Sequence, residues 1–143
     1  MIGGSAATHV RGIGIDLALI PRLRQIVERW DERFLLRVFT DEELAYCRRR
    51  RDPIPHLAAR FAAKEATLKA LGTGMQLGVK WREMEVRRQP GQAPIMVLTG
   101  RCRAIAHDKG GDHVLLSLTH DGDYAMAQAM LIGDPADDEA RPR

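Results

Sequence analysis

Apolar and small residues alternate from Val10 to Leu17, with Ile13, Ile15 and Leu17 on one face and Gly12, Gly14 and Asp16 on the other. That period of two predicts a strand whose glycine side admits a helix or a second backbone, with Asp16 pointing into the same gap. Pro21 opens an arginine-rich helix to about Phe34, and Thr40 with Glu43 makes a capping box ahead of Leu44 and Tyr46 that starts another. Asp52, Pro53 and Pro55 break the chain before a long Ala-rich helix, from about His56 to Leu71, stopped by Gly72. Lys80 to Arg88 and Pro94 to Thr99 read as a hairpin turning at Pro90 and Gly91, and Arg101 to Asp108 as a short helix. His113 to Thr119 and Tyr124 to Leu131 form a second strand pair around Asp121, Gly122 and Asp123. The pattern predicts an α+β fold, a mostly antiparallel sheet packed against one long Ala-rich helix plus shorter helices.

The long helix contains a misfit. At roughly 100° per residue, Leu57, Phe61, Leu68 and Leu71 fall on one stripe, and Glu65 projects within its edge. A carboxylate at such a position needs a cation, a cluster of donors or a metal. Lys69, one turn on, supplies part of that compensation, and on this helix alone a surface Glu65–Lys69 pair is the simpler reading. Asp16 changes the weighing, because Ala58, Ala62 and Ala66 beside Glu65 and the glycines beside Asp16 would let the two elements approach. Two converging carboxylates call for a cation between them. Magnesium suits such a pair, since it takes one or two carboxylates and keeps water and substrate phosphate in its remaining positions.

At 143 residues with 45% hydrophobic content, the chain is expected to form a single domain over 10–133, with an N-terminal extension (1–9) and a disordered acidic tail (134–143). The net charge is +3, but the tail contributes −2, so residues 1–133 carry +5 and favour anionic partners. Cys47 and Cys102 stand without a CxxC or Cys/His spacing, which argues against a disulfide framework or a zinc site. The first residues lack the features of a signal peptide and no segment reaches membrane-span length, so a cytoplasmic location and no membrane association are expected.

Four segments then show a resemblance: GIGIDL at 12–17, RFAAKEATLKALGTG at 60–74, WREMEV from Trp81, and SLTHDGDYA at 117–125. Their order resembles that of the holo-[acyl-carrier-protein] synthase family, the short single-lobed type of 4′-phosphopantetheinyl transferase, over residues 10–132. The resemblance implies transfer of 4′-phosphopantetheine from coenzyme A to a serine of apo acyl carrier protein, for fatty-acid biosynthesis, with release of adenosine 3′,5′-bisphosphate. It implies Mg²⁺ held by Asp16 and Glu65, with a metal-associated water or Glu65 itself as the base. Lys69 would act near the coenzyme's diphosphate, and Arg60 and His120 would contact its phosphates. It further implies a homotrimer with active sites between subunits, and docking of the acidic carrier protein at the first helix, with Arg22 and Arg33 as steering contacts. The arginine run at 48–51 fits this less well and reads as surface, and His9, His56, His107 and His113 read as ordinary hydrogen-bonded histidines.

Leu19 stands where many family members carry a glutamate, and Ala18 where the larger two-lobed relatives carry a third acid, which leaves that coordination position to water. The competing readings are a small basic nucleic-acid-binding module, which 5% aromatic content makes hard to build, and a magnesium-dependent phosphohydrolase using the same two carboxylates.

Overall fold

The computed structural model describes residues 9–134, so the expected extension and acidic tail lie, apart from His9 and Asp134, outside the described residues. Strand β1 (His9–Leu19) begins at His9, which pairs with Gly133 and so belongs to the sheet. Three short helices follow, α1 (Ile20–Trp30), α2 (Glu32–Val38) and α3 (Asp41–Arg48), then the long α4 (Pro53–Leu71). β2 (Met84–Arg87), β3 (Ile95–Leu98), α5 (Gly100–Asp108), β4 (His113–Asp121) and β5 (Tyr124–Gly133) complete the fold. The sheet order is β1-β5-β4-β3-β2, with every neighbouring pair antiparallel.

Three boundaries differ from expectation. The first helix ends at Trp30, because Asp31 adopts φ 51 and a new helix starts behind it. α4 begins at Pro53, where proline needs no amide partner and the Asp52 side chain caps the Ile54 N–H at 3.2 Å. Arg24 grips Asp52 with two nitrogens, at 2.7 and 3.3 Å, tying α1 to that cap. The stretch read as a strand from Lys80 starts with a 3-10 turn at Trp81–Glu83, leaving only Met84–Arg87 in the sheet.

α4 crosses β1 and β5 because both surfaces are built from small residues. The strands present Gly12, Gly14, Asp16 and Ala18, paired through β5 with Leu131, Ala129, Ala127 and Ala125. Ala58, Ala62, Ala66 and Ala70 of the helix are buried. The approach is close: a Cβ on Gly12 or Gly14 would fall well inside van der Waals contact with the carbonyl oxygen of Ala70 or Ala66. Gly72 ends the helix at φ 75, in the left-handed conformation glycine adopts without strain.

On its other side α4 is buried too, with Phe61 5.3 Å from the Trp81 ring and 6.1 Å from Phe34. The fully buried charge of this helix is Lys64 and not Glu65, which is only half-buried. Lys64 Nζ meets Glu43 at 2.6 Å and donates to the Val38 and Trp81 carbonyls at 2.7 and 3.2 Å. Glu43 also accepts from the Thr40 and Val86 amides, each at 2.9 Å, so the capping-box residue joins α3, α4 and β2. The opposite face of the sheet is open and apolar: Val10, Ile13, Ile15 and Leu17 are each more than half exposed.

Candidate active site

The close approach of β1 and α4 carries Asp16 to Glu65. Asp16 lies on the helix-facing side of β1, and its side chain is only 13% exposed. Burial pushes the Glu65 carboxyl above its ordinary range first; the negative charge of Asp16 adds to this, a hydrogen bond with Asp16 contributes, and Lys69 opposes. The charge of Asp16 is thus felt at Glu65 across the β1–α4 contact. Lys69 Nζ does not simply pair along the helix with Glu65; it reaches across to Asp16 Oδ1 at 3.2 Å and to the Ile15 carbonyl at 2.9 Å.

A second group of residues lies around the helix. At 100° per residue, Arg60 is displaced from Glu65 by roughly 140° and His56 by roughly 180°. Both line a cavity of about 390 Å³ with Arg50, Arg88 and His120, the last carried on β4. His120 pairs with Ala125, which pairs with Ala18, so β5 separates it from the strand that holds Asp16. Arg60 is buried, stacked 4.1 Å from the Tyr46 ring, and donates to the His56 carbonyl at 3.3 Å; its Nε has no hydrogen-bond partner. An adjoining cavity of about 640 Å³ shares Tyr46, Arg60 and Arg88. Arrays of fixed guanidinium and imidazole donors suit phosphate oxygens.

Sequence reasoning missed part of this cavity. His56, read as an ordinary histidine, sits 5.4 Å from the His120 ring in an edge-on arrangement. Arg50, within the run read as surface, donates to the Tyr46 hydroxyl at 2.7 Å and lines the cavity. The available signal was the i,i+4 spacing of His56 and Arg60, which puts both on one face of α4. Arg22 and Arg33 are exposed on α1 and α2.

The family model described as 4′-phosphopantetheinyl transferase superfamily matches residues 12–129. The chain belongs to that superfamily. It is 45% identical over 126 residues to a holo-[acyl-carrier-protein] synthase of Syntrophotalea carbinolica, covering 88% of this chain and 98% of that one. The crystal structure of the holo-[acyl-carrier-protein] synthase of Neisseria meningitidis superposes with a TM-score of 0.78 at 28% identity, over 86% of this chain and 98% of that one. The Helicobacter pylori enzyme, solved in complex with coenzyme A, gives 0.71 at 27% identity, over 83% and 98%.

The carboxylate pair fits a hard divalent cation. Asp16 and Glu65 offer oxygen ligands at a place where two negative charges crowd each other. Among the described residues no group of three or more His, Cys, Asp and Glu side chains is placed to hold a metal.

Proposed function

We infer that this chain transfers 4′-phosphopantetheine from coenzyme A to a serine of apo acyl carrier protein, as the phosphopantetheinyl transferase of fatty-acid biosynthesis. The observation that carries the reading is the meeting of Asp16 and Glu65 across the β1–α4 contact, in a chain 45% identical to a holo-[acyl-carrier-protein] synthase. In the reaction the serine oxygen attacks the phosphorus that bears pantetheine, the phosphoanhydride bond breaks, and adenosine 3′,5′-bisphosphate departs with the electron pair. The serine proton passes to a water or to the Glu65 carboxylate.

Asp16 and Glu65 would hold Mg²⁺, which when bound offsets charge on the diphosphate and helps to align the attacking hydroxyl. Lys69, already spanning helix and strand, places an ammonium where negative charge builds on the leaving group. Arg60 and His120 hold coenzyme phosphate from the basic cavity. Arg22 and Arg33 steer the acidic carrier protein.

The placement of the two clusters on opposite sides of α4 supports a homotrimer with sites between subunits: the carboxylates of one copy face the basic cavity of the next. The open apolar face of β1, continued by exposed Tyr124 and Met126 of β5, supplies surface for such contacts. Among the described residues no helix is long and apolar enough to cross a membrane, and a cytoplasmic location belongs to the same proposal.

Incubation with coenzyme A, Mg²⁺ and apo carrier protein, read by intact-protein mass, tests the reading. The native chain should add one phosphopantetheine to the carrier. Release of pantetheine phosphate without an acceptor would point to a phosphohydrolase, and tight salt-sensitive binding of generic DNA without turnover would point to a nucleic-acid module.

A further inference from the structure

The basic cavity sets two imidazoles, His56 and His120, among fixed cations. Arg50, Arg60 and Arg88 carry fixed positive charge, whereas the His56 imidazole can gain or lose a proton. His56 is the more enclosed of the two, and groups face it from every adjoining element: His120 on β4, Arg50 beyond α3 and Arg60 one turn along α4, with Asp52 as the single opposing acid. Tyr46 and Arg88 complete the lining. Burial and these neighbouring positive charges hold the His56 imidazole below its ordinary pKa, while Asp52 opposes them.

We propose that His56 is a proton-coupled binding residue for a dianionic phosphate monoester, taking up a proton from solvent when that group enters the cavity and so strengthening the hold of the site on it. The proposal rests on the reading of Arg60 and His120 as phosphate contacts. Its argument is geometric. A doubly charged anion set between Arg50, Arg60 and Arg88 cancels most of the positive field that His56 feels, and the proton excluded from the empty cavity becomes easier to hold in the filled one. The ring that meets His120 edge-on can then donate from both nitrogens. A monoester suits this role better than a diphosphate bridge, because its two negative charges reside on one phosphorus. Coenzyme A carries one such group, the 3′-phosphate, and its diphosphate is needed at the carboxylates. The buried Arg60 Nε has no hydrogen-bond partner within the protein.

Proton uptake makes affinity pH-dependent by linkage, up to tenfold per pH unit for one coupled proton. Calorimetric titration of the full chain with adenosine 3′,5′-bisphosphate at pH 7, in buffers of differing ionisation enthalpy, counts the protons taken up. The native protein should take up a substantial fraction of a proton. His56→Gln should lower that number and weaken binding roughly three- to tenfold, and 3′-dephospho-coenzyme A should bind native protein without the uptake. A His120→Gln variant, run in parallel, separates the two rings. Equal uptake by native protein and His56→Gln would overturn the assignment, even where transfer to the carrier protein proceeds. Absence of binding by both the bisphosphate and coenzyme A would overturn it together with the proposed function.

Discussion

Lys64 and Glu43 meet at 2.6 Å with both side chains wholly excluded from solvent, and every remaining polar contact of the pair goes to backbone: Val38, Trp81, Thr40 and Val86. The desolvation of two charges is offset by this complete set of partners, and removal of either charge strands the other. Lys64→Met is expected to lower unfolding free energy by about 3 to 5 kcal/mol, and Glu43→Leu similarly. The double replacement should recover part of that loss. Urea denaturation followed by circular dichroism measures all three, and full additivity of the single losses would contradict a coupled pair.

The β1–α4 contact is set by missing side chains. Gly14→Ala places a methyl group against the Ala66 carbonyl and close to the Lys69 Cβ, and backbone must move to admit it. Overpacking of this kind costs about 1 to 3 kcal/mol. Because the displaced elements carry Asp16 and Glu65, phosphopantetheine transfer should fall by a larger factor than stability alone explains. Gly122→Ala, at φ 55 but with open space around it, should affect stability through backbone strain and leave turnover nearly intact.

Asp16→Ala and Glu65→Ala should each reduce transfer by about a hundredfold or more, the size seen when a group stabilising transition-state charge is removed. Neither should unfold the chain. Carrier-protein mass and melting temperature, measured on the same preparations, test both halves of the expectation.

His56 gives a stability signature of its own. Its folded-state pKa is lowered, so between the folded value and the unfolded value near 6.5 the unfolded chain binds more protons. The histidine's stabilising contribution is complete above pH 6.5 and declines as pH falls through that window. Melting curves from pH 7.5 to 5 should therefore show a steeper decline for the native chain than for His56→Gln.

Both thiols should be silent in the folded chain. Burial pushes Cys47 up to about 11 and Cys102 up to about 12. At pH 8 a pKa of 11 leaves about one thiolate in a thousand, and access is blocked besides. Labelling by an aromatic disulfide reagent should wait for unfolding, and rapid reaction of either cysteine in native buffer would contradict the buried placement.

How far the sequence reached follows from the range of each interaction. The alternation of Val10 to Leu17 exposed the sheet's apolar face and the glycine groove, since period and burial are local properties. The capping box at Thr40 and Glu43 was equally local, yet the second role of Glu43 depends on Lys64 and Val86, 21 and 43 residues away, and no spacing rule encodes such a meeting. Lys64 escaped notice because a lysine beside Glu65 reads as part of a solvated face. The helix break at Asp31 was hidden by an apolar pattern that continues through Phe34 and Leu35 in nearly the same phase. Asp16 and Glu65 were legible because small residues flank both.

The alanine lining of α4 leaves the spacing of Asp16 and Glu65 in the keeping of the backbone. Longer side chains swivel to absorb a misfit; a methyl group has no torsion with which to do so. The span from Asp16 to Glu65 is thus inherited from strand twist and helix pitch, and substitutions on the exposed rim of this fold leave that spacing undisturbed.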